Sequence, residues 1–167
     1  AFAGAERIAA LINEQTRDRR QLPRWLALID DTIAYRPSLI PAANGHGTAR
    51  GLARIYGALA CDGELDGVPV LSPAQIERAN SEQSFGPDQV LSPLHTRFGL
   101  GFFMTQPMIP FGPNPRSFGH PGAGGSIAFA DPDARVSVAY VMNQMQMGLA
   151  GDARGFRLIA EVYEALR

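Results

Sequence analysis

The segment 119–125, which reads Gly-His-Pro-Gly-Ala-Gly-Gly, constrains the fold of this chain more than any other stretch. Glycine has no Cβ, so its main chain can pass very close to other backbone or to a ligand. An apolar, β-rich segment follows at 127–130. The pattern predicts either a bulged or kinked strand packed closely against a neighbour, or a strand whose amides face a pocket and bind a developing oxyanion.

Nucleotide-binding signatures do not fit this glycine-rich run. A dinucleotide fingerprint opens a helix, whereas a strand pattern follows here. A P-loop ends in Lys-Ser or Lys-Thr, and all 15 basic residues of this chain are arginine. The absence of lysine also excludes Schiff-base and serine–lysine chemistry by this chain alone. His120 lies beside the flexible segment rather than in an apolar stripe, which favours a chemical role for it.

Composition narrows the class of protein. A chain of 167 residues with 46% hydrophobic and 19% charged residues is typical of one globular domain. The net charge of -1, without a basic stripe, argues against a nucleic-acid partner. No apolar run approaches the roughly 20 residues of a membrane span. The localisation of the protein stays open, with a soluble cytoplasmic chain as the default. Because the sequence lacks an initiator methionine, we expect the natural chain to begin earlier.

Helical patterns dominate the first part of the chain. Thr48 is a predicted N-cap for a helix over 49–61, and Ser72-Pro73 opens a shorter one that runs to Arg78. Asp-Gly pairs frame a small hairpin around Glu64-Leu65. Further predictions are helices over 5–20 and 23–34, extended chain over 36–41, a loop over 81–95, and a buried stripe formed by Leu52, Ile55, Tyr56 and Leu59.

Strand patterns begin near Arg97. We predict a glycine-interrupted strand over 98–104, a proline-rich connection over 107–115, and an antiparallel hairpin of 125–130 with 136–142. A closing helix over 152–167 carries Phe156, Ile159, Ala160, Tyr163 and Leu166 on one side. The fold class is therefore α+β, an antiparallel sheet flanked by helices, with 1–92 as helical segments leading into the sheet domain and 93–167 as its strands and C-terminal helix.

Other candidate residues have simpler interpretations. His46 precedes a helix and His95 lies in a polar loop, and the three histidines lack the spacing of metal ligands. Ser126 lacks a nucleophile elbow, and strand serines are usually structural. The single cysteine, Cys61, is expected to be a buried structural thiol. Asp131 and Asp133 flank a proline, and turn chemistry is sufficient to explain them. Tyr56 and Tyr140 lie in apolar patterns and are predicted to belong to the core. Met142, Met145 and Met147 are expected to fill gaps in the packing.

Two segments resemble a known superfamily. Phe-Gly-His-Pro-Gly-Ala-Gly-Gly-Ser at 118–126, continued by Phe-Ala-Asp-Pro at 129–132 and Tyr-Val-Met-Asn-Gln-Met at 140–145, resembles the serine β-lactamase and penicillin-binding-protein-like esterases. It is similar to the class C-like branch, in which a histidine replaces the lysine of the third motif, Lys-Thr-Gly. The segment 40–56 is similar to the stretch that enters the last long helix of that branch. The resemblance covers roughly residues 38–167.

The resemblance implies an acyl-transferring hydrolase whose sheet domain is joined to an all-helical domain. By position, His120-Pro121-Gly122 corresponds to the third motif and Ala123 to the second oxyanion-hole amide. His120 would take the place of the motif lysine, positioning a tyrosine base or a polar group of the substrate. The implied site is thus His120, Gly122 and Ala123, acting without a cofactor on an ester or amide of a small molecule.

Two family motifs are missing. A chain without lysine cannot hold Ser-x-x-Lys, and none of the four tyrosines begins Tyr-x-Asn. We therefore expect the C-terminal portion of a longer enzyme, whose nucleophile lies outside this chain and whose missing N-terminal half, or an oligomeric partner, covers its exposed apolar surface. The alternatives are a degenerate relative and a non-catalytic structural or interaction module of the same fold.

Overall fold

The computed structural model describes residues 45–146 and 148–167. Within them a six-stranded antiparallel sheet lies between helices, which confirms the predicted α+β class. The elements in chain order are α1 (Ala49–Ala60), β1 (Glu64–Leu65), β2 (Val68–Pro69), α2 (Pro73–Ala79), β3 (Ser84–Pro87), β4 (His95–Phe98), β5 (Phe103–Met104), β6 (Phe118–Pro121), a 3₁₀ turn (Ala123–Gly125), β7 (Ile127–Asp131), β8 (Val136–Tyr140) and α3 (Ala153–Ala165).

The sheet is a meander in which each strand pairs with the next along the chain, in the order β3-β4-β5-β6-β7-β8. Pro121 pairs with Ile127, and Ile127 pairs in turn with Tyr140. These three residues therefore lie side by side at one end of the sheet. The glycine-rich run leaves β6 at this end, and the turn of the β7–β8 hairpin lies at the other.

Alternation along β7 divides the core into two layers. Phe129 belongs to a cluster with Phe156 and Ile159 of α3, whereas Ala130 belongs to a second cluster with Leu59 of α1. Successive side chains of a strand point to opposite faces, so one helix covers each face of the sheet. All five residues of β7 are buried, as expected for a strand with both faces covered.

Local sequence signals position the helices and the small hairpin. The Thr48 hydroxyl accepts a hydrogen bond from the Gly51 amide at 3.1 Å. Ser72 and Gln75 form a reciprocal capping box at the start of α2. Asp66 and Gly67 both have positive φ between β1 and β2, as a tight hairpin turn requires. These predictions are confirmed, because each depends on only a few neighbouring residues.

The predicted burial of the helices is partly wrong. Ile55 is 52% exposed and Leu166 is 58% exposed. The buried part of α1 is its C-terminal turn, where small residues let the helix approach the sheet closely. Helical periodicity identifies an apolar side but cannot show how far along the helix the sheet extends. The helices predicted over 5–20 and 23–34, and the extended stretch 36–41, lie outside the described residues.

Two strand predictions need correction. The segment 98–104 forms not one strand but the end of β4, a turn and β5, and Gly101 in the turn has a φ of +80°. The predicted loop 81–95 contains β3, whose exposed residues give no alternating apolar pattern. The hairpin of β7 with β8 and the helix capped by Asp152 are confirmed. The division of the chain at residue 93 stays a prediction.

Candidate active site

His120 lies on β6 with its side chain exposed, between the buried residues Gly119 and Pro121. A Cβ on Gly119 would lie 2.2 Å from the carbonyl oxygen of Ala128 on β7. Only glycine therefore allows β6 and β7 to pair this closely here. The close pairing fixes the backbone on which His120 is presented.

The His120 imidazole is oriented by two contacts. Its Nδ1 lies 2.6 Å from the carbonyl oxygen of Pro121, and its ring meets the buried Phe103 ring edge-on at 4.8 Å. A carbonyl oxygen only accepts hydrogen bonds, so Nδ1 carries a proton and donates. In the neutral ring Nε2 is then an acceptor, and it has no partner within the part of the chain that the structure describes. The site thus presents one basic nitrogen.

The glycine-rich run after His120 forms a tight 3₁₀ turn. The Gly122 amide donates to the Ser126 carbonyl at 2.7 Å, and the Gly124 amide donates to the Gly148 carbonyl at 2.9 Å. Gly124 and Gly125 have φ values of +83° and +115°, in the region that favours glycine. Between these bonded amides, the N–H of Ala123 has no acceptor among residues 45–146 and 148–167. The turn thus leaves this one backbone donor without a partner in the described part of the chain.

Asp152 and Arg154 hold the far side of this turn. Asp152 caps α3, accepting from the Arg154 amide at 2.8 Å, and also accepts from the Arg154 side chain at 3.0 Å. The guanidinium donates further to the carbonyls of Gly124 at 3.3 Å and Gln144 at 3.0 Å. Its hydrogen bond to Asp152 raises the pKa of Arg154. Sequence reasoning identified Asp152 only as the start of a helix and missed Arg154.

Two of the four tyrosines, Tyr56 and Tyr163, have pKa values that do not suit a general base. Burial raises the pKa of Tyr56 to about 12. Burial, together with a hydrogen bond to the Asp131 carboxylate, raises the pKa of Tyr163 well above its ordinary value. A general base works best when its pKa lies near the working pH. Both side chains therefore stay protonated near neutral pH.

The remaining candidates are structural or lie elsewhere. His46 and His95 are both exposed. His46 precedes α1, and His95 is the first residue of β4. The Ser126 hydroxyl makes no hydrogen bond to a base within the described chain. Asp131 accepts from the amides of Asp133 and Ala134, which confirms the predicted turn. Cys61 is only partly buried, so its predicted burial is wrong, because it lies just past the covered turn of α1.

Neither a cluster of metal ligands nor a membrane-spanning helix is found in the part of the chain that the structure describes. No group of three acidic, histidine or cysteine side chains there is placed to hold a metal ion. Nor does any helix of 45–146 or 148–167 combine the length and apolar character that crossing a bilayer needs. A surface cavity of about 680 Å³ has Cys61 and Arg135 among its lining residues. Because Arg135 lies in the turn between β7 and β8, this cavity is at the opposite end of the sheet from Ala123.

Comparison with known proteins identifies the family. The family model described as Beta-lactamase matches residues 2–162. The chain belongs to the beta-lactamase family. This match extends the resemblance noted over 38–167 almost to the first residue.

Relatives within the beta-lactamase family include esterases. The chain is 43% identical over 125 residues to Esterase/beta-lactamase LipL of Mycobacterium tuberculosis, covering 74% of this chain and 28% of LipL. A solved family VIII carboxylesterase matches with a TM-score of 0.78 and 42% identity, over 83% of this chain and 37% of the esterase. A penicillin-binding protein homologue from Caulobacter crescentus matches with a TM-score of 0.76 and 46% identity, over 81% and 36% of the two chains. The chain thus spans about a third of the length of these relatives.

In this beta-lactamase-family chain, the three predicted site residues come together at one end of the sheet. His120 lies on β6 one residue before its end, Gly122 closes the turn onto Ser126, and the N–H of Ala123 has no acceptor among the described residues. The catalytic roles of these three residues stay predictions. Asp152 and Arg154 are distant in sequence but contact the same turn, at Gly125 and Gly124 respectively.

Proposed function

We propose that this chain forms one wall of the active site of a serine esterase, in a protein whose nucleophile and base lie outside these 167 residues. The observation that carries the proposal is the N–H of Ala123, which has no acceptor among the described residues and lies in a glycine-rich turn three residues after the exposed His120. Backbone donors fixed in this way stabilise an oxyanion without reorganising during the reaction.

The proposed reaction is acyl transfer to a serine. The serine oxygen attacks the carbonyl carbon of a small-molecule ester, and the carbonyl oxygen becomes an anion that accepts from the Ala123 amide. Collapse of the tetrahedral intermediate breaks the bond to the alcohol, which leaves with a proton. Water then attacks the acyl-enzyme, and the acid and the free serine are released. An ester is the acyl compound common to the names Esterase/beta-lactamase LipL and family VIII carboxylesterase, which supports an ester as the substrate class.

His120 is proposed to take part through Nε2. Because Nδ1 donates to the Pro121 carbonyl, Nε2 can accept from a hydroxyl of the catalytic machinery or of the substrate. Raised pKa values disfavour the phenols of Tyr56 and Tyr163 as the base, and none of the four tyrosines of the chain begins Tyr-x-Asn. The tyrosine base of the site is therefore proposed to come from the same missing portion as the serine.

Replacing His120 in the full-length protein tests this function. We expect His120→Ala to lower the acylation rate with p-nitrophenyl esters by about 10²-fold or more, the range of a lost proton-transfer group. The variant should still fold, because the His120 side chain is exposed on β6 and is not part of the core. His95→Ala, an exposed histidine on another strand, is the matched control and should keep full activity. Wild-type acylation in His120→Ala would overturn the assignment. No turnover by the wild type would favour a non-catalytic module.

A further inference from the structure

We propose that Arg154 is a positioning residue for the oxyanion amide, and that Asp152 holds Arg154 in place. This inference rests on the proposed function, since it concerns how the Ala123 N–H is aimed. Neither side chain belongs to the three predicted site residues, and both come from α3 and its cap, about thirty residues further along the chain.

The contacts place Arg154 as a bridge between two loops. One end of its guanidinium donates to the Gly124 carbonyl, and another donates to the Gln144 carbonyl after β8. The residue that accepts from it, Gly124, directly follows Ala123. Gly124 is also tied to the second loop by its own amide, to the Gly148 carbonyl, and by its carbonyl, from the Gln146 amide. The two peptides that follow the one carrying the Ala123 N–H are therefore fixed, Ala123–Gly124 by a backbone bond and Gly124–Gly125 by a backbone bond together with Arg154.

Asp152 explains why the arginine stays there. Its carboxylate accepts from Arg154 and is only 9% exposed, whereas the arginine side chain is 32% exposed. The guanidinium also lies over the Tyr140 ring, 5.9 Å from its centre. Gly125 makes room for the carboxylate, because a Cβ there would lie 2.0 Å from Asp152 Oδ2. The glycine, the carboxylate and the guanidinium thus form one packed unit behind the turn.

An ion pair that served only the surface would not need a guanidinium that contacts a carboxylate and two backbone carbonyls. Five donors in a planar fork let one arginine hold a carboxylate and two carbonyls at once, which the single ammonium group of lysine does less well. Displacing a catalytic donor by about 1 Å can cost about 10²-fold in rate. Because the backbone bonds of Gly124 remain when the side chain is removed, we expect a loss of about 10- to 100-fold in kcat, with little change in KM.

The test uses the full-length protein and three variants at α3. Arg154→Ala should lower kcat by that factor, Arg154→Lys should recover part of the loss, and millimolar guanidinium should restore turnover in Arg154→Ala only. Arg157→Ala, an exposed arginine one turn further along α3, is the matched control and should keep the wild-type kcat. A wild-type kcat in Arg154→Ala, or equal losses in both alanine variants, would overturn the inference.

Asp152→Asn provides a second test of the inference in case Arg154→Ala does not fold. Asparagine is also a good helix N-cap, so the cap survives while the charge that holds the guanidinium is lost. We expect kcat to fall about 10-fold in a protein that still unfolds cooperatively. A wild-type kcat in this variant would contradict the inference. A wild type that neither turns over esters nor reacts with a fluorophosphonate would overturn the proposed function itself.

Discussion

Single residues decide how closely the two strands behind the site can approach. Gly119 and Gly86 are both strand glycines, but only Gly119 faces backbone: a Cβ there would lie 2.2 Å from the Ala128 carbonyl oxygen, whereas a Cβ on Gly86 has nothing within 4 Å among the described atoms. The same substitution therefore tests packing at one position and strand propensity alone at the other.

We expect Gly119→Ala to lower the free energy of unfolding by about 1–3 kcal/mol or more, the cost of forcing atoms into a packed core. Gly86→Ala should leave it within about 0.5 kcal/mol. Thermal or urea denaturation of the full-length protein measures both. Equal stability of the two variants would show that β6 and β7 are not in this close register.

The site residues differ in how far the sequence predicts them. His120, Gly122 and Ala123 are adjacent in the chain, so a motif is enough to name them. Arg154 acts on Gly124 from about thirty residues away, and its own neighbours suggest only a helix. A contact of this kind depends on where α3 packs, which no local pattern contains.

Among the secondary-structure elements, α3 is tied to the β7–β8 hairpin by a buried polar cluster. Asp131 is fully buried at the end of β7, where its carboxylate accepts from Asn114 at 2.7 Å and from the Tyr163 hydroxyl of α3. Sequence reasoning predicted the hairpin and the turn role of Asp131, because both are local. It placed Tyr163 on the apolar side of a helix and could not foresee this partner.

This cluster should make stability depend on alkaline pH. The phenol of Tyr163 must stay protonated to donate, and its pKa in the folded chain is raised above the ordinary value of 10.0 by burial first and by Asp131 second. Its contribution is therefore complete below about pH 10 and is lost as the pH rises further. Tyr163→Phe should cost about 1.5–3 kcal/mol near pH 8, the value of a hydrogen bond to a charged group.

Melting curves of the full-length wild type and Tyr163→Phe, recorded from about pH 8 to pH 11, check this dependence. The wild type should lose stability above about pH 10 more steeply than the variant, so that the difference between them narrows. Curves that stay parallel over this range would contradict the role given to the phenol. Other tyrosines titrate in both proteins and cancel in the comparison.

For the whole molecule, the decisive fact is that the chain spans 28% of LipL and 37% of the solved carboxylesterase. The strand, glycine turn and hairpin over 118–140 were predictable because their residues are contiguous, and the third-motif role of 120–122 stays a prediction. Substrate choice was not predictable, because the chain spans only about a third of the length of these relatives. The proposed catalytic serine and tyrosine must then approach Ala123 and His120 from the remainder of the protein.

Covalent labelling of the full-length protein with a fluorophosphonate, followed by mapping of the modified peptide, tests this account most directly. We predict one label per chain, on a serine outside residues 1–167, at a rate that falls in His120→Ala and in Arg154→Ala but not in Arg157→Ala. No labelling, or labelling of a serine within these residues such as Ser126, would contradict the claim that this chain is one wall of a serine esterase site.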